Sequence, residues 1–290
     1  MRIVIWTLVV LALMGGVLAW VALYPPARDR ALIGLSHVMA PAYSGTAREE
    51  RFGPLARHRL DVYPGAAEDS SEKPIIIFYY GGGWRAGEKA FYHFVGSALA
   101  ARGYDVVIPD YRFFPEVQFA GFMEDAAMAY AWVWQNMARE KDRDIVVMGH
   151  SAGAHMSALL AYGSQYRPDG ALAPAALVGL AGPYSFNPKE WPSTKEIFAD
   201  VPDADLARPV HFVDENSPPS MLFHGDRDDL VKLWNQEELA KALEANQVPH
   251  ETLILPDTGH YKILFSFARP LLDQMGVVNR VDAFLDSQGL

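Results

Sequence analysis

Pro74-Ile75-Ile76-Ile77-Phe78-Tyr79-Tyr80 is an unbroken apolar run rich in β-branched side chains, and the pattern recurs at residues 105–109, 144–148, 176–180, 220–224 and 251–255. A strand without polar alternation has to be covered on both faces, which is the condition of a central strand in a parallel sheet. Residues 58–63 instead alternate polar and apolar, as a half-buried edge strand does. Helical spacing fills the intervals, predicting helices over 91–102, 122–139, 151–162, 234–246 and 273–288. In the longest of these Met123, Ala126, Ala127, Tyr130 and Trp134 form the apolar stripe. Strands alternating with helices specify an α/β fold, a mostly parallel sheet with helices on both faces. Residues 183–219 fit neither period and are rich in proline and acidic residues, so they are expected to form a small cap inserted above the sheet.

The amino-terminal end is of another kind. Residues 3–23 carry no charge and are interrupted only by Thr7, Gly15 and Gly16. As a helix rising ~1.5 Å per residue, such a run crosses a hydrocarbon core of ~30 Å. The expected division is a membrane-spanning signal anchor over 1–24, a juxtamembrane lead-in over 25–57 with a short helix near 31–39, and the α/β domain over 58–290. The alternative is a cleaved signal peptide, with Val17-Leu18-Ala19 as its small-residue site and a secreted product. Arg28 and Arg30, partly offset by Asp29, give only a small charge bias; the expected orientation leaves the α/β domain on the extracytoplasmic (periplasmic) side.

Composition removes several function classes. Lys and Arg number 25 against 35 Asp and Glu, a net charge of −10, which disfavours nucleic acid as a partner. The chain has no cysteine, so disulfides, thiol nucleophiles, cysteine zinc sites and iron–sulfur clusters are excluded. No motif calls for a cofactor or metal.

Met148-Gly149-His150-Ser151-Ala152-Gly153 follows a buried strand and opens a helix. This is G-x-S-x-G in the context that gives it meaning, a sharp strand-to-helix turn that lifts a serine hydroxyl out of the sheet. The acid and base of such a serine follow it in the order Ser, acid, His. One strand runs into His224-Gly225-Asp226-Arg227-Asp228-Asp229, and the next runs into Pro256-Asp257-Thr258-Gly259-His260. His260 is therefore the candidate base, and Asp226, Asp228 and Asp229 are candidate acids. Of the other histidines, His150 is expected to shape the turn, His155 to pack in the helix behind it, and His224 to brace the acidic turn.

Tyr80-Gly81-Gly82-Gly83-Trp84 follows the 74–80 strand, and consecutive glycines free backbone N–H groups to face a substrate oxygen. Gly81, Gly83 and Ala86 also spell G-x-G-x-x-A, a dinucleotide pattern. Bulky Trp84 and Arg85 occupy the pyrophosphate approach, with Asp110 only a late candidate for the ribose acid. A Walker loop fails because Glu88, not lysine, follows Gly87.

From about residue 51 onward the chain resembles the α/β-hydrolase fold, within it the esterase and lipase group with an H-G-G-G-type oxyanion loop (hormone-sensitive-lipase-like and carboxylesterase relatives). The resemblance rests on Arg59-Leu60-Asp61-Val62-Tyr63-Pro64, the Tyr80–Trp84 loop with Gly87 and Lys89, Asp110-Tyr111-Arg112 with Phe114-Pro115, the Gly149–Gly153 turn with Ala154-His155, His224-Gly225-Asp226 and Gly259-His260. The glycine loop and the Asp110 segment are also similar to prenylcysteine methylesterase-like and arylformamidase-like proteins. The resemblance implies a serine hydrolase of small-molecule carboxylic esters, of short to medium acyl chain, with Ser151 as nucleophile, His260 as base and no cofactor. The family pattern H-G-x-x-D-x-x-V puts the acid at Asp228, and the oxyanion donors carried over are the amides of Gly82, Gly83 and Ala152. Tyr80 stands where the family usually has histidine. An amide or formamide hydrolase with the same residues is the enzymatic alternative, and a catalytically silent binding module is the alternative of another class.

Overall fold

The computed structural model describes residues 25–66 and 73–290. The apolar run 3–23 lies outside them; among the described residues no helix is long and apolar enough to cross a membrane.

Among the described residues eight strands form one sheet: β1 (Arg48–Arg51), β2 (Arg59–Tyr63), β3 (Ile75–Tyr79), β4 (Asp105–Pro109), β5 (Ile145–His150), β6 (Ala176–Leu180), β7 (Ser220–Gly225) and β8 (His250–Leu255). Their spatial order is β1-β2-β4-β3-β5-β6-β7-β8. β2 runs antiparallel to both β1 and β4, and the remaining pairs are parallel. Every residue of β3, β5, β6 and β7 is buried, as their unbroken apolar sequences require. The helices are α1 (Pro25–Met39), α2 (His93–Ala100), α3 (Phe119–Val133), α4 (Ala152–Tyr162), α5 (Trp234–Ala245), α6 (Leu272–Met275) and α7 (Val277–Ser287). This is the α/β-hydrolase arrangement.

The chain leaves β3 toward β4 and then returns to place β5 on the other side of β3. The connections after these two neighbours diverge, and a crevice opens between their carboxyl ends, where open α/β sheets hold ligands. The glycine loop follows β3 and Ser151 follows β5, so both sit at that switch point. Tyr79 pairs with Gly149 in register directly beneath it.

Several elements depart from their sequence-predicted bounds. The 25–57 segment supplies both α1 and the edge strand β1, whose sequence Arg-Glu-Glu-Arg has no apolar signal because its side chains are largely exposed. Charged residues on an edge strand also discourage further pairing. The 122–139 helix starts at Phe119 and ends in a π turn over Trp134–Ala138. The 273–288 helix is divided at Gly276, which adopts φ +61°. Between β6 and β7, residues 183–219 form a cover of short turns rather than a regular element. Its Phe198 meets Trp84 edge-on at 4.9 Å, and the His155 Nε2–H donates to Ala207 O at 2.7 Å. That histidine's other ring nitrogen, Nδ1, has no partner among the described residues, and burial pushes its pKa down to about 4, so the ring is neutral.

Candidate active site

Ser151 stands outside the helix that its sequence predicts it to begin. Its backbone has φ +55° and ψ −121°, a strained turn between β5 and α4 that presents the hydroxyl to the crevice. The flanking glycines permit the turn: a Cβ on Gly149 would lie 2.4 Å from Gly153, and one on Gly153 would lie 1.9 Å from Tyr79 O. The main chain is fixed by Ser151 N donating to Leu180 O (2.9 Å) and His155 N donating to Ser151 O (3.1 Å). Ala152 opens α4, whose first amides have no partner within the helix and face the crevice's end of the sheet.

His260 and Asp228 are carried by the turns after β8 and β7. His260 Nε2 lies 2.8 Å from Ser151 Oγ, and His260 Nδ1 lies 2.7 Å from Asp228 Oδ2. The other carboxylate oxygen, Oδ1, accepts from the amides of Leu230 and Val231, each at 2.9 Å. Burial pushes the Asp228 carboxyl up, but the hydrogen bond and charge of His260, the Val231 amide and His224 outweigh it and hold the group below the ordinary aspartate range. The two neighbouring acids are spent elsewhere. Asp226 Oδ1 accepts from Thr258 N at 3.1 Å, and exposed Asp229 pairs with Lys232 at 2.9 Å. His224 donates from Nε2 to Val231 O at 2.8 Å, which ties down the end of the turn holding Asp228.

Gly82 and Gly83 have φ +140° and +61°. Gly82 O accepts from the amides of Arg85 and Ala86, and a Cβ on Gly82 would sit 1.9 Å from Ala86 O, so the turn demands glycine there. Behind the loop, Tyr80 takes the place of the expected histidine. Its hydroxyl donates to Asp110 Oδ1 (2.7 Å) and accepts from Arg57 Nη2 (2.9 Å). Its ring is stacked between Tyr92 and Tyr111, with centroids 5.1 and 4.7 Å away. Burial, then the charge of Asp110, pushes the Tyr80 phenol well above its ordinary pKa, so it is a permanent donor. Arg57 also donates to Gly87 O (2.8 Å) and Tyr111 O (2.7 Å). Asp110, the acid a dinucleotide site would need, is thus consumed by the loop's own support.

These parts surround a cavity of about 560 Å³. Gly81, Gly82, Gly83, Ser151 and His260 line one end, and Trp84, Phe186, Trp191, Leu230, Trp234 and Tyr261 give it apolar walls. No carboxylate is among the described lining residues. The arrangement can deliver a serine oxygen to an uncharged acyl carbonyl, accept its proton on an imidazole, and face the resulting oxyanion with main-chain amides. No described cluster of His, Asp or Glu could hold a metal ion.

Arg57, Tyr92 and the His150 contact described below are not evident from sequence. Each acts on a residue distant in the chain, and none belongs to a local motif.

The chain matches the prolyl oligopeptidase family over residues 121–288 and the BD-FAE family over residues 60–177. It is 30% identical to Esterase LipC of Mycobacterium tuberculosis over 254 residues, 77% of this chain and 61% of that protein. It is 28% identical over 236 residues to a probable isoprenylcysteine alpha-carbonyl methylesterase of Arabidopsis thaliana, covering 72% of this chain and 56% of that one. The chain thus spans about three-fifths or less of the length of these curated relatives. Among solved structures, a propionate-bound thermophilic esterase from the planctomycete Thermogutta terrifontis superposes with a TM-score of 0.71 at 23% identity, over 86% of this chain and 96% of that one. At that identity the likeness establishes the fold.

Proposed function

This chain belongs to the prolyl oligopeptidase family of α/β-hydrolases, and from that premise we propose that it hydrolyses carboxylic esters through an acyl-enzyme on Ser151. The observation that carries the reading is the continuous hydrogen-bonded line Asp228–His260–Ser151, opening beside a glycine loop into an apolar cavity. Ser151 Oγ attacks the ester carbonyl while His260 Nε2 takes its proton, and Asp228 holds the ring's orientation and stabilises the imidazolium. The amides of Gly82, Gly83 and Ala152 receive the oxyanion. His260 then protonates the departing alcohol, and water, activated by the same imidazole, releases the acid.

The expectation of short to medium acyl chains comes from the family resemblance and the aromatic lining, and a cavity of about 560 Å³ has room for them. The second reading, amide hydrolysis by the same residues, draws on the prolyl oligopeptidase match. The lack of any carboxylate among the described lining residues disfavours peptides with a free amino terminus, whose ammonium group would need one; uncharged amides are separated from esters by the anilide comparison. A catalytically silent binding module would have no need of the whole hydrogen-bonded line.

The apolar run 3–23 is read as an uncleaved anchor that leaves the described domain on the extracytoplasmic face. The deciding experiment is a series of p-nitrophenyl esters from acetate to palmitate, beside p-nitroanilides of the same acids. Turnover greatest on short to medium esters and far lower on anilides is expected. Anilide turnover matching the esters would move the assignment to an amidase, and no turnover on either would favour the silent module.

A further inference from the structure

Helix α1 is fastened to the catalytic domain along its carboxyl half. Buried Ser36 accepts from Phe94 N (3.4 Å), and the His37 and His93 rings lie 3.9 Å apart. Arg269 donates from its main chain to Met39 O (2.8 Å) and from Nη2 to Ala40 O (2.7 Å). Among the described residues no element covers the opposite side: Leu32, Leu35 and Val38 are exposed, Val38 by 73%. Spacings of three residues keep them on one face of a helix. Only Tyr24 separates this helix from the apolar run that ends at residue 23.

We propose that this face of α1 rests on the lipid bilayer that holds residues 3–23, so that the catalytic domain is seated on the membrane in a fixed orientation rather than swinging on a tether. The inference depends on the anchor reading given above. With one residue between the apolar run and α1, the helix stays close to the membrane surface, where its three aliphatic side chains leave water at the acyl boundary while exposed Arg28, one turn before Leu32, reaches the headgroups. The outer wall of the cavity stands beside it. Tyr92 adjoins His93, and Leu264 adjoins Phe265, whose ring stacks on Phe94 at 6.1 Å; Tyr92 and Leu264 both line the cavity. At the mouth Tyr261 and Trp191 are exposed, the side chains that favour a membrane interface. A seat on this face would bring the cavity wall at Tyr92 and Leu264 toward the bilayer and shorten the path of an amphiphilic ester to Ser151.

The chain has no cysteine, so Val38→Cys gives the full-length protein one labelling site for a fluorophore sensitive to polarity, with Glu140→Cys, on an exposed turn before β5, as the control. In phosphatidylcholine vesicles the label at 38 is expected to shift to the blue and to be quenched by nitroxide lipids, while the label at 140 does neither. Vesicle association without a shift at 38 would overturn this inference alone. Failure to associate with vesicles would overturn the anchor and this inference together. A shift that persists in detergent and grows with protein concentration would assign the face to a second copy of the chain, and so refute it. As a functional arm, the Leu35→Glu, Val38→Glu double variant should lower turnover of a vesicle-borne medium-chain ester about tenfold relative to dissolved butyrate ester, each compared with the parent protein. An unchanged ratio would contradict the seat.

Discussion

His150 donates its Nε2–H to the main-chain carbonyl of His260 across 2.9 Å, with the two ring centroids 4.8 Å apart. The residue before the candidate nucleophile thereby holds the backbone of the candidate base, 110 positions later. His150 Nδ1 has no partner among the described residues, and it faces Gly81, where a Cβ would lie 2.9 Å from it. Burial, then neighbouring His260, pushes the His150 pKa down to about 3, so the ring stays neutral and does not compete for the proton of Ser151.

Replacing His150 by alanine should lower kcat about tenfold on a soluble ester, because it frees the loop carrying His260, and any change in KM should be the smaller effect although His150 also lines the cavity. His150→Gln, which still offers an N–H donor, should recover part of the loss. A change confined to KM, or no recovery by glutamine, would contradict a positioning role.

The sheet was legible because β3, β5, β6 and β7 are buried on both faces and their sequences have no polar alternation. Ser151 and His260 were legible as positions because each lies just past a strand, and the parallel topology gathers strand ends at one edge; position alone left Asp226, Asp228 and Asp229 open, and only the family pattern pointed to Asp228. β1 was not legible, since an exposed edge strand needs no apolar residues. Nor were Arg57 or His150: their roles depend on partners 23 and 110 residues away, which no local pattern encodes.

The three adjacent carboxylates should separate sharply. Asp228→Asn is expected to reduce turnover by several orders of magnitude, since the amide can no longer fix the His260 tautomer. Asp226→Asn and Asp229→Asn should stay within a few-fold of the parent, because these side chains face Thr258 N and Lys232. Comparable losses in all three, measured as kcat/KM at neutral pH, would contradict the geometry.

Tyr80→Phe removes the hydroxyl between Arg57 and Asp110 and leaves a buried carboxylate with one donor fewer. A loss of about 1–3 kcal/mol in urea unfolding is expected, together with a lower kcat as the glycine loop loosens. A variant equal to the parent in both would show that the stacking of Tyr92 and Tyr111 suffices without the hydrogen bonds.

Stability should fall on acidification well before the carboxylates titrate. His150 and His155 are buried with pKa values near 3 and 4, below the ordinary 6.5 that they recover on unfolding. Below pH 6.5 the unfolded chain therefore binds protons that the folded one refuses, and stability declines as pH drops toward 4. Each group contributes a slope approaching 1.4 kcal/mol per pH unit. Between pH 7 and 5 the pair should cost on the order of 3 kcal/mol, read from urea midpoints, and His155→Gln should flatten the profile. A parent profile flat over that range would mean that these rings are protonated in the fold.

The central claim is that Ser151 is the nucleophile of an ester hydrolase. It is tested most directly by treating the full-length protein with a fluorophosphonate and locating the adduct by peptide mass spectrometry, with Ser151→Ala in parallel. The account predicts one adduct per chain, on Ser151, appearing in step with the loss of ester turnover, and neither adduct nor turnover in the alanine variant. An adduct on another serine, or ester turnover that survives Ser151→Ala, would contradict it.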